Sequence, residues 1–238
     1  MKNVYTAILL AMALVATAGA ETTIFSSDFS GLTVGEEIPL GGPGVGQPVA
    51  KDRAIDATIV EDGGSPILRI QDATDFGTGT VRFEFLNDFE VTSGTVTIEV
   101  DLRVEDYASG DAVVLYVREH GFSAKTFLNL RFSTGGTVTV SDADGGSTSL
   151  PSYPEGETFT VVATFDMDAG TYGVAIGGNA VTDLTHGITD RGVGAVMVGQ
   201  GNDADLDGTV YVERVEVRID QDIVKSHPSS WGALKTSF

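Results

Sequence analysis

Cysteine is absent from the 238-residue sequence, and tryptophan occurs only once, at Trp231. A chain without cysteine cannot form disulfides, so burial of apolar side chains, or a bound metal ion, must stabilise the fold. Histidine is scarce as well, with three copies, and no nucleophile-elbow sequence is present. The sequence therefore gives no support to a Ser/His/Asp triad.

Basic side chains are few. Fourteen Lys and Arg stand against 34 Asp and Glu, which gives a formal net charge of −20 at pH 7. Such a charge repels nucleic acid and anionic membrane surfaces, so neither is predicted as a partner, and it also disfavours an acidic polysaccharide. Acidity of this size is typical of proteins from salty surroundings and of Asp-rich loops that bind calcium.

The N-terminal segment has the three parts of a secretory signal peptide. Lys2 supplies the positive charge, residues 7–16 form an apolar run, and Ala18 and Ala20 form an A-x-A cleavage site before Glu21. The run is shorter than the roughly 20 apolar residues that a membrane span needs. We expect residues 1–20 to be removed and the protein to be secreted, extracellular or periplasmic, with no membrane insertion after cleavage.

Alternation of apolar and polar residues dominates the rest of the chain. In the segment 95–104, Val96, Ile98, Val100, Leu102 and Val104 alternate with polar residues, which predicts a strand with one buried face. The pattern predicts an all-β, two-sheet antiparallel β-sandwich over residues 21–222, followed by a C-terminal tail, 223–238. The predicted strands are 23–29, 57–61, 67–71, 80–86, 95–104, 112–118, 127–132, 137–141, 158–166, 171–176, 194–199 and 209–219.

Three stretches together resemble the concanavalin A-like lectin/glucanase superfamily, in its bacterial laminin-G-like branch. They are 27–35 (SDFSGLTVG), 159–178 (FTVVATFDMDAGTYGVAIGG) and 208–219 (GTVYVERVEVRI). The resemblance implies a jelly roll of two curved antiparallel sheets. It also implies carbohydrate or protein binding as the common role, with glycosidases and lyases as a minority. The fold alone does not decide between these roles.

One strand carries carboxylates that resemble the catalytic strand of laminarinase-type hydrolases. Glu99, Asp101 and Glu105 share one side of it, but Asp101 and Glu105 are four residues, or roughly 13 Å, apart, whereas retaining chemistry needs about 5 Å. Those enzymes also line their cleft with tryptophan, which this domain lacks. Arg103 lies between the acids, so we predict a solvated ionic face, and we predict that the protein is not an enzyme.

The histidines give no support to a catalytic interpretation either. Alginate-lyase-type chemistry in related jelly rolls needs a His/Tyr pair with Arg and Gln nearby. His120 and His186 lie in turn-like and loop-like sequence, outside any matching motif, and we predict exposed or capping roles for both.

The best candidate metal site is the loop 202–208 (NDADLDG). Asp203, Asp205 and Asp207 alternate as oxygen ligands do in the first half of a calcium loop, and Gly208 permits the sharp turn. The closing Glu of an EF-hand is missing, and Arg214 stands at its offset. We expect a Ca²⁺-binding loop on a β-scaffold; the alternative is an acidic turn without an ion. Asp28 would join the site if the first and last strands meet.

Aromatic platforms for a sugar are also few. Tyr107 and Tyr153 lie in loops and are the predicted sugar-stacking residues, whereas Tyr116 and Tyr211 lie in apolar strands and are predicted to be core. The leading hypothesis is a non-catalytic, exported, lectin-like module that binds an extracellular glycan or a cell-surface partner. A structural or adhesive protein without a sugar ligand, and a glycoside hydrolase or polysaccharide lyase of the same fold, are the alternatives.

Overall fold

A computed structural model describes residues 21–44, 46–72, 79–85, 90–105, 111–120, 125–141, 146–200 and 208–220. Across these residues the chain is built from strands, with one short 3₁₀ turn at Thr134–Gly136. No helix in these ranges has the length or apolar character needed to cross a membrane. The strands in chain order are β1 (Thr22–Ser27), β2 (Ala50–Lys51), β3 (Ile55–Asp62), β4 (Ser65–Asp72), β5 (Gly79–Glu84), β6 (Thr95–Glu105), β7 (Asp111–Arg118), β8 (Thr126–Ser133), β9 (Thr137–Ser141), β10 (Ser147–Leu150), β11 (Phe159–Asp166), β12 (Thr171–Ile176), β13 (Asn179–Thr185), β14 (Ala195–Gln200) and β15 (Thr209–Ile219).

The strands form two antiparallel sheets that pack face to face. Sheet I has the order β13-β12-β11-β6-β15-β4-β3, and β1 also pairs with β15. Sheet II has the order β10-β9-β8-β7-β14-β5-β2. The predicted two-sheet antiparallel sandwich is confirmed.

All twelve predicted strands are present, and β2, β10 and β13 are the strands that the pattern missed. Each of the three lacks the signal that alternation provides. β2 has two residues, β10 is the polar sequence STSL, and β13 is an edge strand whose residues are exposed or half-buried. An edge strand with no buried face shows no apolar period of two, because only burial on one side imposes that period.

The core lies between the two sheets and is filled by the inward residues of every long strand. In β6 the five predicted apolar residues, Val96, Ile98, Val100, Leu102 and Val104, are at most 1% exposed. Burial of a side chain of this kind contributes about 1.5 to 3 kcal/mol. Because this core spans both sheets, the sandwich is stable without disulfides.

A bulge at Glu213 divides β15 into two parts. Before it, β15 pairs with β4 from Thr209 to Val212, and after it β15 pairs with β1 from Val215 onward. The register with β6 shifts by one residue between Val212 and Arg214, which leaves Glu213 as the extra residue. The bulge marks the place where β1 and β4 lie end to end along β15.

Candidate functional site

The two sheets differ sharply in charge. The strands of sheet I contain eleven acidic and four basic residues, whereas those of sheet II contain two acidic and four basic residues. The strand residues of sheet I therefore sum to −7 and those of sheet II to +2, in a chain of net charge −20. The two sheets thus carry equal numbers of basic residues and differ in acidic ones, so sheet II is the less acidic side of the sandwich.

The outward side chains of sheet II form a row across five adjacent strands. Arg82 in β5 is opposite Met197 in β14, which is opposite Tyr116 in β7. Tyr116 is in turn opposite Asn129 in β8, and Asn129 is opposite Ser141 in β9. All five are half-buried rather than fully exposed. We call this row and its flanking Arg118 and Arg131 the arginine face.

The arginine face follows from the alternation of three separate segments. Inward residues of β5, β7 and β8 fill the core, for example Phe83, Val117 and Leu130, which have no exposed surface. The residues directly before and after each of these must point outward, because successive side chains of a strand lie on opposite faces of the sheet. Arg82, Arg118 and Arg131 occupy these outward positions.

A buried carboxylate lies at one end of the face. The side chain of Glu84 is 5% exposed, although it is on the outer side of sheet II. Its Oε1 is 3.3 Å from Nε of Arg82, and its Oε2 is 2.9 Å from Nε2 of His120. The sequence predicts an exposed or capping role for His120. Its side chain is instead 26% exposed and contacts the buried carboxylate of Glu84.

Ala195 separates Glu84 from Arg118 on the same face. It is opposite both of them in register, and it has no exposed surface, so neighbouring side chains cover it. The guanidinium of Arg118 contacts the sulfur of Met197 at 3.7 Å. The face therefore combines guanidinium, phenol, amide and hydroxyl groups within one surface.

Comparisons with known proteins support the same fold and no closer relationship. No family model matches the chain, and no curated protein matches it by sequence. A conserved carbohydrate esterase from Shiga toxin-encoding bacteriophage phi24B is similar in structure, with a TM-score of 0.60 and 12% identity, over 84% of this chain and 100% of that chain. Lectin II from Ulex europaeus has a TM-score of 0.51 at 11% identity, over 81% of this chain and 96% of the lectin. The carbohydrate recognition domain of Emp47p has a TM-score of 0.52 at 12% identity, over 84% and 96%.

The protein has the concanavalin A-like jelly-roll fold. The fold expected from the three resembling stretches is therefore confirmed. At these identities the likeness shows the fold alone, and the chemistry has to be argued from the residues of this jelly roll.

The acidic strand face of the jelly roll is an ion-pair network. Arg214 contacts Glu99, and its Nε donates to Asp101 at 2.8 Å and its Nη1 to Glu216 at 2.7 Å. The hydrogen bond to Asp101, with a further one to Glu99, raises the pKa of Arg214 above its ordinary value. Glu99 and Asp101 are thus bound by a protein cation, as the predicted ionic face requires.

Arg103 completes the network at the other end of β6. It contacts Asp62, and its Nε is 2.8 Å from Glu105. Its guanidinium also lies 4.3 Å from the ring centre of Tyr211, as in a cation–π contact.

The prediction that Tyr211 and Tyr116 are core residues is wrong, because both rings lie on outer faces and are half-buried. The alternation of a strand decides which face of the sheet a side chain lies on, and both tyrosines occupy positions on the outer face, among the polar residues.

Tyr153 is in a loop as predicted, but its ring is not available to a sugar. The side chain is 4% exposed and packs against Phe132 and Phe159, with ring centres 5.5 and 5.2 Å away. Its hydroxyl donates to the carbonyl oxygen of Ser133 at 3.1 Å. The prediction of a sugar-stacking role is corrected accordingly: the ring has no free face. Tyr107 lies outside the described residues.

The predicted calcium ligands Asp203, Asp205 and Asp207 also lie outside the described residues, and Ca²⁺ stays a prediction. Strands β1 and β15 do meet, but Ser27 pairs with Val215, six residues or roughly 20 Å from the start of β15 at Thr209. Asp28 is therefore beside the bulge and not beside the start of β15.

A cleft of about 480 Å³ opens at the bulge, with Asp28, Asp62, Asp101, Glu213 and Arg214 in its wall. In the part of the chain that the structure describes, no group of three or more His, Cys, Asp and Glu is arranged to hold a metal ion.

His186 is a core residue rather than an exposed one; of its two predicted roles, exposed or capping, only the local contact of its Nδ1 with the backbone is present. It is 2% exposed, and its ring contacts Phe127 and Phe165 at centre distances of 5.1 and 6.4 Å. Its Nδ1 accepts a hydrogen bond from the backbone N–H of Ile188 at 3.2 Å, which fixes the neutral form with the proton on Nε2. Burial lowers the pKa of His186 below its ordinary value, and the Ile188 contact offsets this only in part.

The lowered pKa of His186 predicts acid destabilisation. The unfolded chain binds the proton more readily than the folded chain, so stability is complete above about pH 6.5 and falls as the pH drops below it, at up to about 1.4 kcal/mol per pH unit for one proton. His186→Phe should remove this part of the slope. The check is urea unfolding of both proteins between pH 7.5 and 5; equal slopes would show that His186 does not carry it.

Proposed function

We propose that the protein is an exported, non-catalytic carbohydrate-binding module and that the arginine face of sheet II is its glycan-binding surface. The observation that carries the proposal is the row of Arg82, Met197, Tyr116, Asn129 and Ser141 across five strands. Hydroxyl-rich ligands need donors and acceptors at several points, and half-buried side chains on rigid strands are already ordered, which reduces the entropy cost of binding.

The fold supports this proposal but does not decide it. Similar structures include proteins whose names describe a lectin and a carbohydrate recognition domain. Export rests on the N-terminal segment described above, and calcium on the loop 202–208. Both belong to the proposal, and a glycan screen should therefore be run with added Ca²⁺ and again with EDTA.

The structure offers a second tyrosine as a matched control for the binding face. Tyr116 and Tyr211 are both half-buried and outward-facing, but they lie on opposite sheets. We expect Tyr116→Ala to weaken glycan binding about tenfold, which corresponds to about 1.4 kcal/mol, and Tyr211→Ala to leave it unchanged. A glycan array followed by calorimetry measures both. Equal losses in the two variants would contradict the assignment of the face, and no binding to any glycan would contradict the function.

A carbohydrate-active enzyme is the second candidate, and one observation favours it. Glu84 is buried beside His120 and Arg82 on the same face, and buried titratable groups in contact are common at catalytic sites. A similar structure is named a carbohydrate esterase. Release of acetate or of reducing ends from the bound glycan, lost in His120→Ala, would favour this candidate over the binding module.

A further inference from the structure

The arginine face lies on a protein whose total charge is unfavourable for the groups that arginine binds best. Carboxylate and sulfate groups are matched by a guanidinium, which offers paired N–H donors in one plane. The net charge of −20 disfavours such ligands only if it acts uniformly over the surface. The distribution of charge between the two sheets shows that it does not.

Distance decides how much the acidic sheet opposes an anion at the arginine face. The two sheets of a sandwich are about 10 Å apart, and outward side chains lie farther from the opposite outer surface still. At about 0.15 M salt the Debye length is about 8 Å, so exposed charges across the sandwich are largely screened. The nearer charges therefore weigh most at the face: the strand residues of sheet II, which sum to +2, and the neighbouring acids Glu90 and Glu119.

The three arginines are spaced as a line of contacts rather than as one cluster. Arg82 and Arg118 lie two strands apart and one outward position apart in register. Arg131 is opposite Val114, four residues from Arg118 along β7. With about 4.8 Å between strands and about 3.3 Å per residue, their Cα atoms are roughly 12 to 16 Å from each other. A single small anion cannot reach all three, whereas a chain with a charge on successive sugars can.

The remaining groups of the face suit the uncharged part of such a chain. Tyr116, Asn129 and Ser141 lie between and beside the arginines in register and supply hydroxyl and amide groups. The strands of sheet II add two negative charges. Glu84 is already held by Arg82 and His120, and Asp111 begins β7 opposite Ser133, two residues from Arg131 in β8.

We propose that the glycan bound by the arginine face is an anionic polysaccharide, with carboxylate or sulfate groups that Arg82, Arg118 and Arg131 bind. The inference rests on the proposed carbohydrate-binding function and specifies its ligand class. It reverses the expectation from total charge, which treated an acidic polysaccharide as an unfavourable partner.

Three oligosaccharide probes test the inference by calorimetry on the full mature chain at about 0.15 M NaCl. Oligogalacturonate carries carboxylates, κ-carrageenan oligosaccharide carries sulfates, and cello-oligosaccharide is neutral. We expect at least one of the two anionic probes to bind about tenfold or more tightly than the neutral one. Binding of oligogalacturonate alone identifies the carboxylate, and binding of carrageenan alone identifies the sulfate.

The variants Arg118→Gln and Arg131→Gln test the contacts, and Arg69→Gln is their control. Arg82 is avoided because its loss would leave Glu84 with a weaker set of partners. Arg69 lies on a strand of sheet I, so its replacement removes the same charge from the other side of the sandwich. Arg118→Gln and Arg131→Gln should each raise the Kd for the anionic probe about tenfold, and Arg69→Gln should leave it unchanged.

The outcomes separate this inference from the proposed function. Equal or tighter binding of the neutral probe overturns the anionic ligand but keeps a carbohydrate-binding module. A loss in Arg69→Gln as large as in Arg118→Gln overturns the arginine contacts and leaves only a general charge effect. Absence of binding to all three probes and to a broader glycan array overturns the proposed function itself.

Discussion

Replacement of Tyr153 by alanine should lower the free energy of unfolding by about 3 to 5 kcal/mol, the usual cost of deleting a buried aromatic ring. The ring is 4% exposed and packs between Phe132 and Phe159. Because alanine fills little of that volume, a cavity forms where the loop covers the end of the core. Urea denaturation at neutral pH gives the free energy directly.

Tyr153→Phe is the matched control, because it keeps the ring and removes only the hydroxyl. The hydrogen bond to the carbonyl oxygen of Ser133 is lost, which costs about 1 kcal/mol. Glycan binding should be unchanged in the phenylalanine variant. If Tyr153→Ala keeps wild-type stability but loses glycan binding, Tyr153 is a sugar-binding residue and not a core residue.

The ionisation of Tyr153 gives an independent check of its burial. Burial, with the Glu155 carboxylate as a further cause, raises the pKa of Tyr153 to about 12. The neutral phenol is therefore favoured in the folded chain. Its contribution to stability is complete below about pH 10, where a free tyrosine ionises, and is lost as the pH rises towards 12. A phenolate absorbance with the ordinary midpoint for this residue, seen as the difference from Tyr153→Phe, would contradict the burial.

The fold could be predicted from the sequence because alternation reports burial one strand at a time. The five apolar residues of β6 fill the core as the pattern predicts. The same pattern cannot report what a loop covers. Tyr153 follows a proline-flanked loop sequence, and only the packing of Phe132 and Phe159, from different sheets, shows that its ring turns inward.

The candidate site could not be predicted from the sequence, because long-range pairing assembles it. β14 follows three strands of sheet I in the chain, yet it pairs between β5 and β7 in sheet II. This pairing places Met197 between Arg82 and Tyr116, residues that are 34 positions apart in the sequence. The outward position of each arginine in its strand could have indicated a binding face. The net charge of −20, however, favoured the opposite expectation for anionic ligands. A total charge carries no information on which strands become neighbours.

Replacement of Arg214 by methionine should lower the free energy of unfolding by about 2 to 3 kcal/mol at pH 7, because it leaves Glu99, Asp101 and Glu216 without their shared cation. The three carboxylate side chains are only 18 to 19% exposed, so water compensates incompletely. Arg218 still contacts Glu99 at 2.9 Å, and this limits the loss.

Lys125→Met is the control for a surface ion pair. Lys125 contacts Asp190 at 2.8 Å, but the two side chains are 50% and 64% exposed, so its loss should leave the free energy of unfolding nearly unchanged. Urea unfolding of both variants at pH 7 separates the two cases. If Arg214→Met costs no more than Lys125→Met, the network does not stabilise the sandwich. If instead Arg214→Met folds with wild-type stability but loses glycan binding, the carboxylate face of sheet I contacts the ligand, and the assignment of the binding surface to sheet II is wrong.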